Sequence, residues 1–203
     1  MVMLKYIVVG TGRCGTTYLS RMFNFYGIKC GHENIFTPYG YNKAIELLNK
    51  NSFEAESSWL SAPFLDSDLL KNSAIIHIVR DPEKTISSFI NVKLFSKDNI
   101  YQDFINEFIH IKDFPVELRD VIYFIKWNEF IINKSIGKRY IFHRVEDNIE
   151  ILFNKLGLKL EKPIDNRFSN KTTNTIKFSL DDINNERIKE MLIDMKKEFG
   201  YND

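Results

Sequence analysis

The sequence predicts an α/β fold: a three-layer arrangement around a mostly parallel central sheet. Three observations carry that prediction. The apolar runs at 4–9 (LKYIVV) and 74–79 (AIIHIV) have the continuous hydrophobicity of strands buried on both faces. Each run is followed by a helix-opening signal, the glycine turn Gly10–Gly15 after the first and Asp81-Pro82 after the second. Helical and strand-like segments then alternate to the end of the chain, as they do in parallel sheets.

Taken in order, the glycine turn leads into a helix from about Thr16 to Tyr26, ended by Gly27. A brief strand at 28–30 runs into Gly31-His32-Glu33, and a loop with Phe36, Tyr39 and Tyr41 precedes a helix at 42–50. Residues 53–57 (FEAES) read as a third strand, followed by Ser58-Trp59 and a short helix at 63–70. After the strand at 74–79 comes the proline-opened helix, then a helix at 99–112 with Tyr101, Phe104, Ile105, Phe108 and Ile109 on one face. The segment 116–133 is apolar on almost every side, so Trp127 and Asn128 read as core. A last strand at 139–143 and helices at 147–156 and 181–198 follow. The final helix lines up Ile188, Met191, Leu192, Met195 and Phe199 as a docking stripe.

With 203 residues the chain suits a single domain over 1–203. Its 44% hydrophobic content, net charge of +1 and mean hydropathy of -0.25 exclude a disordered chain, a highly basic nucleic-acid binder and a membrane protein. Neither nucleic acid nor membrane is therefore expected as a partner. Cys14 and Cys30 make no disulfide framework and stand in no metal-ligand spacing. His77 reads as a core histidine, and His110 and His143 show no partner spacing. The N-terminal apolar run contains Lys5 and is too short for a signal peptide, so the expected location is cytoplasmic.

Open α/β sheets bind ligands at the carboxyl ends of their strands. Four polar clusters directly follow four predicted strands: Gly10–Thr17, His32-Glu33, Ser57-Ser58 and Arg80. Parallel strands bring such clusters to one edge. The first is an anion-binding turn, because backbone N–H groups at a helix start and two threonine hydroxyls favour a phosphate. Gly10, Gly12 and Gly15 match the dinucleotide pattern G-x-G-x-x-G, with Glu33 at the distance of a ribose-holding acid. Against it, GIKCG is a poor buried strand and Arg13 sits between the glycines. Gly10 and Gly15 also fit the kinase pattern G-x-x-x-x-G-K-[ST], but Thr16 stands where the phosphate-gripping lysine belongs.

TGRCGTTYL resembles the 5′-phosphosulfate loop of the sulfotransferases that use 3′-phosphoadenosine 5′-phosphosulfate (PAPS). In that family a Lys or Arg, here Arg13, precedes a small-Gly-Thr-Thr run. The family's second motif is a strand ending in Arg, then Asp-Pro, with a Ser eight residues after the Arg. IIHIVRDPEKTISSF supplies Arg80 and Ser88 at that spacing. The resemblance implies a P-loop-like phosphosulfate-binding turn after the first strand. It also implies transfer of the sulfuryl group from PAPS to a hydroxyl of a small acceptor, phenolic or a sugar, releasing 3′,5′-diphosphoadenosine and using no metal.

By the same resemblance, Gly12, Arg13, Cys14, Gly15, Thr16 and Thr17 would wrap the 5′-phosphosulfate, with Arg13 stabilising the leaving oxygen by its charge. Tyr18 would stack on the adenine or pack beneath the first helix turn. Arg80 and Ser88 would hold the 3′-phosphate, and Arg167 and Lys171 in RFSNKTTNT would close over it. The small-molecule branch of the family places a histidine base after the third strand, where Glu56-Ser57-Ser58-Trp59 has none. Other branches place a glutamate after the second strand, where Gly31-His32-Glu33 stands. Glu33 is the expected general base, with His32 or Glu56 as substitutes, and Phe36, Ser57, Ser58 and Trp59 would border the acceptor. A P-loop-type nucleotide kinase and a non-catalytic nucleotide-binding module are the competing readings.

Overall fold

The computed structural model describes residues 3–96, 99–159 and 175–201. Five strands, β1 (Tyr6–Val9), β2 (Cys30–His32), β3 (Ala55–Ser57), β4 (Ala74–Val79) and β5 (Tyr140–Arg144), form one sheet. The helices in chain order are α1 (Thr16–Phe25), α2 (Tyr41–Lys50), α3 (Pro82–Asn91), α4 (Ile100–Ile109), α5 (Arg119–Lys134), α6 (Ile149–Leu156) and α7 (Glu186–Glu198). These elements divide into two compact units. One runs to Val79 and resumes at Ile131; the other holds Arg80–Phe130 and the C-terminal segment.

The first unit contains the sheet, which is parallel throughout with strand order β2-β3-β1-β4-β5. Continuous apolar sequence makes β4 buried at all six positions, as the central strand of a covered sheet must be. On one face Val8, Ile76, Ile78 and Ile141 pack with Leu19, Met22 and Phe23 of α1 and with Ile149, Leu152 and Phe153 of α6. Phe23 meets Phe153 edge-to-face at 5.6 Å. His77 is a satisfied core histidine, its Nδ1 2.7 Å from the Tyr140 hydroxyl.

This strand order positions the site. The chain leaves β1 toward β2 on one side and leaves β4 toward β5 on the other, so the topological switch point lies between β1 and β4. Ligands of open parallel sheets bind outside such a point. The order also removes the dinucleotide reading of Glu33. In a dinucleotide fold the ribose-binding acid follows the strand next to β1. Here β3 intervenes, which moves the end of β2 two strand spacings, roughly 9.5 Å, from β1.

In the second unit α3 opens as its sequence requires: Asp81 caps it by accepting from the Lys84 amide at 2.9 Å, and Pro82 takes the first turn. Its core is aromatic, with Phe89, Phe95, Phe104, Tyr123 and Trp127 buried and Tyr123 packed on Trp127 at 5.6 Å. The Phe178 amide donates to Ser87 Oγ at 2.9 Å, and Lys196 pairs with Glu83 at 3.0 Å. Asp120, in the first turn of α5, has an Oδ1 sealed from solvent with no hydrogen-bond partner among the described residues, and burial pushes its carboxyl up to about 7.

A carboxyl raised in this way binds more protons folded than unfolded. Its favourable contribution is full below the unfolded pKa of about 4 and is lost as pH rises through about 7. Asp120→Asn is expected to raise the melting temperature at pH 8 by several degrees, with little effect at pH 4. A thermal melt series from pH 4 to 8 checks this; parallel curves for the two proteins would contradict it.

Several element boundaries differ from expectation: β2 lies at Cys30–His32 instead of 28–30, and the helix expected at 99–112 ends at Ile109, with a 3₁₀ turn at Ile111–Asp113. The short helix expected at 63–70 is two 3₁₀ turns, Trp59–Phe64 and Asp68–Leu70, because Ser58 Oγ accepts from the Leu60 amide and starts the first turn early. Pro63, lacking an N–H, keeps that turn from continuing as an α-helix. α5 begins at Arg119 because 116–118 forms a separate 3₁₀ turn after Pro115. α7 begins at Glu186, capped by Asn185, because Ser179 and Asp182 close their own capping box upstream. No helix among the described residues is long and apolar enough to cross a membrane.

Candidate functional site

The glycine turn is shaped by close approaches that side chains would prevent. A Cβ on Gly10 would overlap the carbonyl oxygen of Ile78 in β4 and lie 2.5 Å from Cys14 Sγ. Arg13 and Gly15 both have left-handed backbones, with φ of 66° and 111°. A Cβ on Gly15 would lie 2.8 Å from Val145 Cγ2, so the turn after β5 presses against the start of α1. Gly15 is the N-cap of α1 and no side chain caps that end. The first amides of α1 thus lack the side-chain acceptor that most helix starts supply, an arrangement suited to an anion.

Thr11 adds a second sign of a ligand. It is 1% exposed, and its Oγ1 is sealed with no hydrogen-bond partner among the described residues. A buried hydroxyl in that state carries a desolvation cost that a bound acceptor oxygen relieves. Cys14 lies in the hydrophobic core. Tyr18 packs against the same core, and burial pushes its phenol up.

The end of β2 meets the start of α1 directly. His32 Nε2 lies 3.2 Å from Thr16 Oγ1 and 3.1 Å from Thr17 Oγ1. The same nitrogen is 3.9 Å from Glu33 Oε1, and both side chains are about one third exposed. Glu33 has a left-handed backbone, φ 55°, and its amide donates to the Ser57 carbonyl at 3.3 Å. A non-glycine residue held there costs of order 1 kcal/mol or more and persists only where neighbours enforce it. Ser57 is such a neighbour: its Oγ donates to the Thr16 carbonyl at 2.7 Å, so one residue of β3 ties both turns together.

Of the four residues expected around the acceptor, three hold neighbouring structure. Phe36, Ser57, Ser58 and Trp59 are all buried. Phe36 packs on Phe64 at 5.1 Å, and Ser58 Oγ caps the 3₁₀ turn through the Leu60 amide. The exposed aromatics of this region are Tyr39 and Tyr41. Glu56 is fully buried, so it cannot reach a substrate hydroxyl as a base.

Arg80 and Ser88 belong to the second unit. Arg80 directly follows β4, is partly exposed, and its carbonyl accepts from Thr85 Oγ1 at 3.4 Å. Ser88 is buried on α3. Arg167 and Lys171 lie outside the described residues.

Two features of the site escaped the sequence. Thr11 was legible only as a hydroxyl between glycines, since its burial depends on the loop's path. At the end of β5, Arg144 donates from Nε and Nη2 to Asp147 Oδ1 at 3.0 and 2.7 Å, a fifth polar cluster at the carboxyl edge. Its signal was the charged RVED immediately after a strand. Among the described residues no group of three or more His, Cys, Asp or Glu side chains could hold a metal ion. No protein-family model matches the chain, and no curated protein matches it.

Proposed function

We infer that this protein is a PAPS-dependent sulfotransferase with a P-loop-like phosphosulfate turn at Gly10–Thr17. One observation carries the reading: the anion-type turn and the Gly-His-Glu turn, separate in sequence, meet where His32 reaches Thr16 and Thr17. A phosphosulfate held by the amides of 12–17 would therefore stand beside a carboxylate able to take a proton. The orphaned Thr11 hydroxyl and the uncapped start of α1 fit the donors that such an anion needs.

In the proposed reaction the acceptor hydroxyl oxygen attacks sulfur while its proton passes to Glu33. The bond between sulfur and the bridging phosphate oxygen breaks, and the electron pair stays on 3′,5′-diphosphoadenosine. Arg13 stabilises that charge electrostatically, since a guanidinium does not give up a proton at neutral pH. The sulfate ester of the acceptor is the second product. Tyr39 and Tyr41 are exposed after the Glu33 turn and suit a flat acceptor, a phenol or a sugar ring. The 3′-phosphate is assigned, by the sequence resemblance, to Arg80 and Ser88.

Arg80→Ala is expected to weaken 3′,5′-diphosphoadenosine binding by roughly 1.5–3 kcal/mol, the range for a hydrogen bond to a charged group. Unchanged affinity in that variant would take the 3′-phosphate away from Arg80. The reading as a whole is tested by incubating the protein with PAPS and a panel of phenols and sugars, following the sulfated product. Nucleotide binding without turnover on any acceptor would leave a binding module; consumption of ATP with magnesium would favour the kinase reading.

A further inference from the structure

Glu56 is a carboxylate in the middle of a parallel strand with both neighbours, Ala55 and Ser57, buried. Its position in the sheet explains how this is tolerated. On β3 it stands in register with Ile7 of β1 on one side and Gly31 of β2 on the other. Gly31 has no side chain, and a Cβ there would collide with Glu56 Oε2. The carboxyl therefore lies across the glycine and reaches the turn beyond β2. There Oε1 accepts from two consecutive backbone amides, Asn34 at 2.6 Å and Ile35 at 3.1 Å. These are the residues immediately after Glu33, and the His32 amide is bound by Asn34 Oδ1 at 2.8 Å.

We propose that Glu56 is the positioning residue of the Glu33 turn: it fixes the two amides that follow Glu33 and so holds the Glu33 carboxylate in place. The catalytic half of this rests on the sulfotransferase reading above; the anchoring half does not. Burial pushes Glu56 up to about 7, against the pull of the two amides and with help from the neighbouring Glu33 charge. Among the described residues, the titratable groups coupled to it are Glu33 from the turn and Cys30 from β2, whose thiol burial pushes to about 12 and so keeps neutral. Its Oε2 has no hydrogen-bond partner among the described residues, which leaves the group free to gain and lose a proton without rebuilding a network.

The consequence has a definite sign. Below pH 7 Glu56 is neutral and its two amide hydrogen bonds lack charge assistance. Above pH 7 its negative charge strengthens the two amide hydrogen bonds and holds the Glu33 turn more firmly, so turnover rises through an inflection near pH 7. Glu56→Gln keeps an acceptor oxygen for the amides but cannot ionise. It is expected to abolish the inflection while retaining turnover close to that of the wild type at low pH. Glu56→Ala releases the turn, and misplacement of Glu33 is expected to lower turnover by up to about 10²-fold with diphosphoadenosine affinity retained.

The experiment pairs those rate profiles, from pH 5.5 to 8.5, with amide hydrogen exchange of Asn34 and Ile35 followed by NMR on the same proteins. In the Ala variant both amides are expected to exchange about tenfold faster or more, with amides of β4 unchanged; in the Gln variant they stay protected. Protected Asn34 and Ile35 amides in a folded Ala variant would overturn the anchoring role whatever the activity. A Gln variant that keeps the inflection would overturn the charge dependence assigned to the Glu56 anchor. Loss of protection in the Ala variant, from a protein that sulfates nothing, would confirm the anchor and count against the sulfotransferase reading alone.

Discussion

Glu33→Gln is expected to lower sulfuryl transfer on the order of 10²–10⁴-fold, the usual contribution of a positioned general base, and to leave 3′,5′-diphosphoadenosine binding nearly intact. Glutamine preserves the shape of the side chain and its capacity to accept a hydrogen bond, but it cannot take the acceptor's proton. The prediction is specific because the position is specific. Glu33 is held in a left-handed conformation by the Ser57 carbonyl on its own amide and by the amides of Asn34 and Ile35 fixed on Glu56. Its carboxylate stands 3.9 Å from His32 Nε2, the nitrogen that touches both threonines at the start of α1. Steady-state turnover of the variant at saturating PAPS checks the claim. Retention of most of the activity would move the base to His32, whose Nε2 lies between Glu33 and the two threonines.

Gly10→Ala is expected to be the most destabilising single substitution in the glycine turn, by about 3 kcal/mol, the upper range for forcing an atom into a packed site. The obstacle is the Ile78 carbonyl oxygen, part of the central strand, and it cannot withdraw without disturbing the β1–β4 pairing at Val8–Ile76 and Val9–His77. For a chain of this size such a loss lowers the melting temperature by roughly 6–12 °C. Gly137→Ala is the informative control. Gly137 has a left-handed φ of 76° but nothing within 4 Å of its missing Cβ, so its cost is backbone strain alone, about 1 kcal/mol. Equal melting temperatures for the two variants would mean that Gly10 is not held by close approach.

Much of the fold was legible because the chain punctuates itself. Glycine after β1, glycine after α1 and Asp81-Pro82 after β4 are local signals, and local signals need no knowledge of tertiary structure. The strand order was not legible, since nothing in the short runs CGH and AES says which neighbour each will pair with. That order proved decisive for Glu33, whose spacing suited a ribose until β3 came between β2 and β1. Glu33, His32 and the threonines were recognisable as chemistry at strand ends. Glu56 reads from the sequence only as a substitute base, because its burial and its reach across Gly31 depend on pairing between strands distant in sequence. Phe36, Ser57 and Ser58 read as lining for a similar reason: residue type and position at a strand end do not distinguish a side chain that faces a ligand from one that holds the turn facing it.

The central claim, a nucleotide site built for a 3′-phosphate, is tested most directly by calorimetric titration with 3′,5′-diphosphoadenosine beside AMP, each with and without magnesium. Tight binding of the diphosphate that needs no magnesium and weakens by roughly 10–150-fold with AMP is the predicted result, the span of one charged hydrogen bond. Equal affinity for the two nucleotides, or none for either, would contradict it.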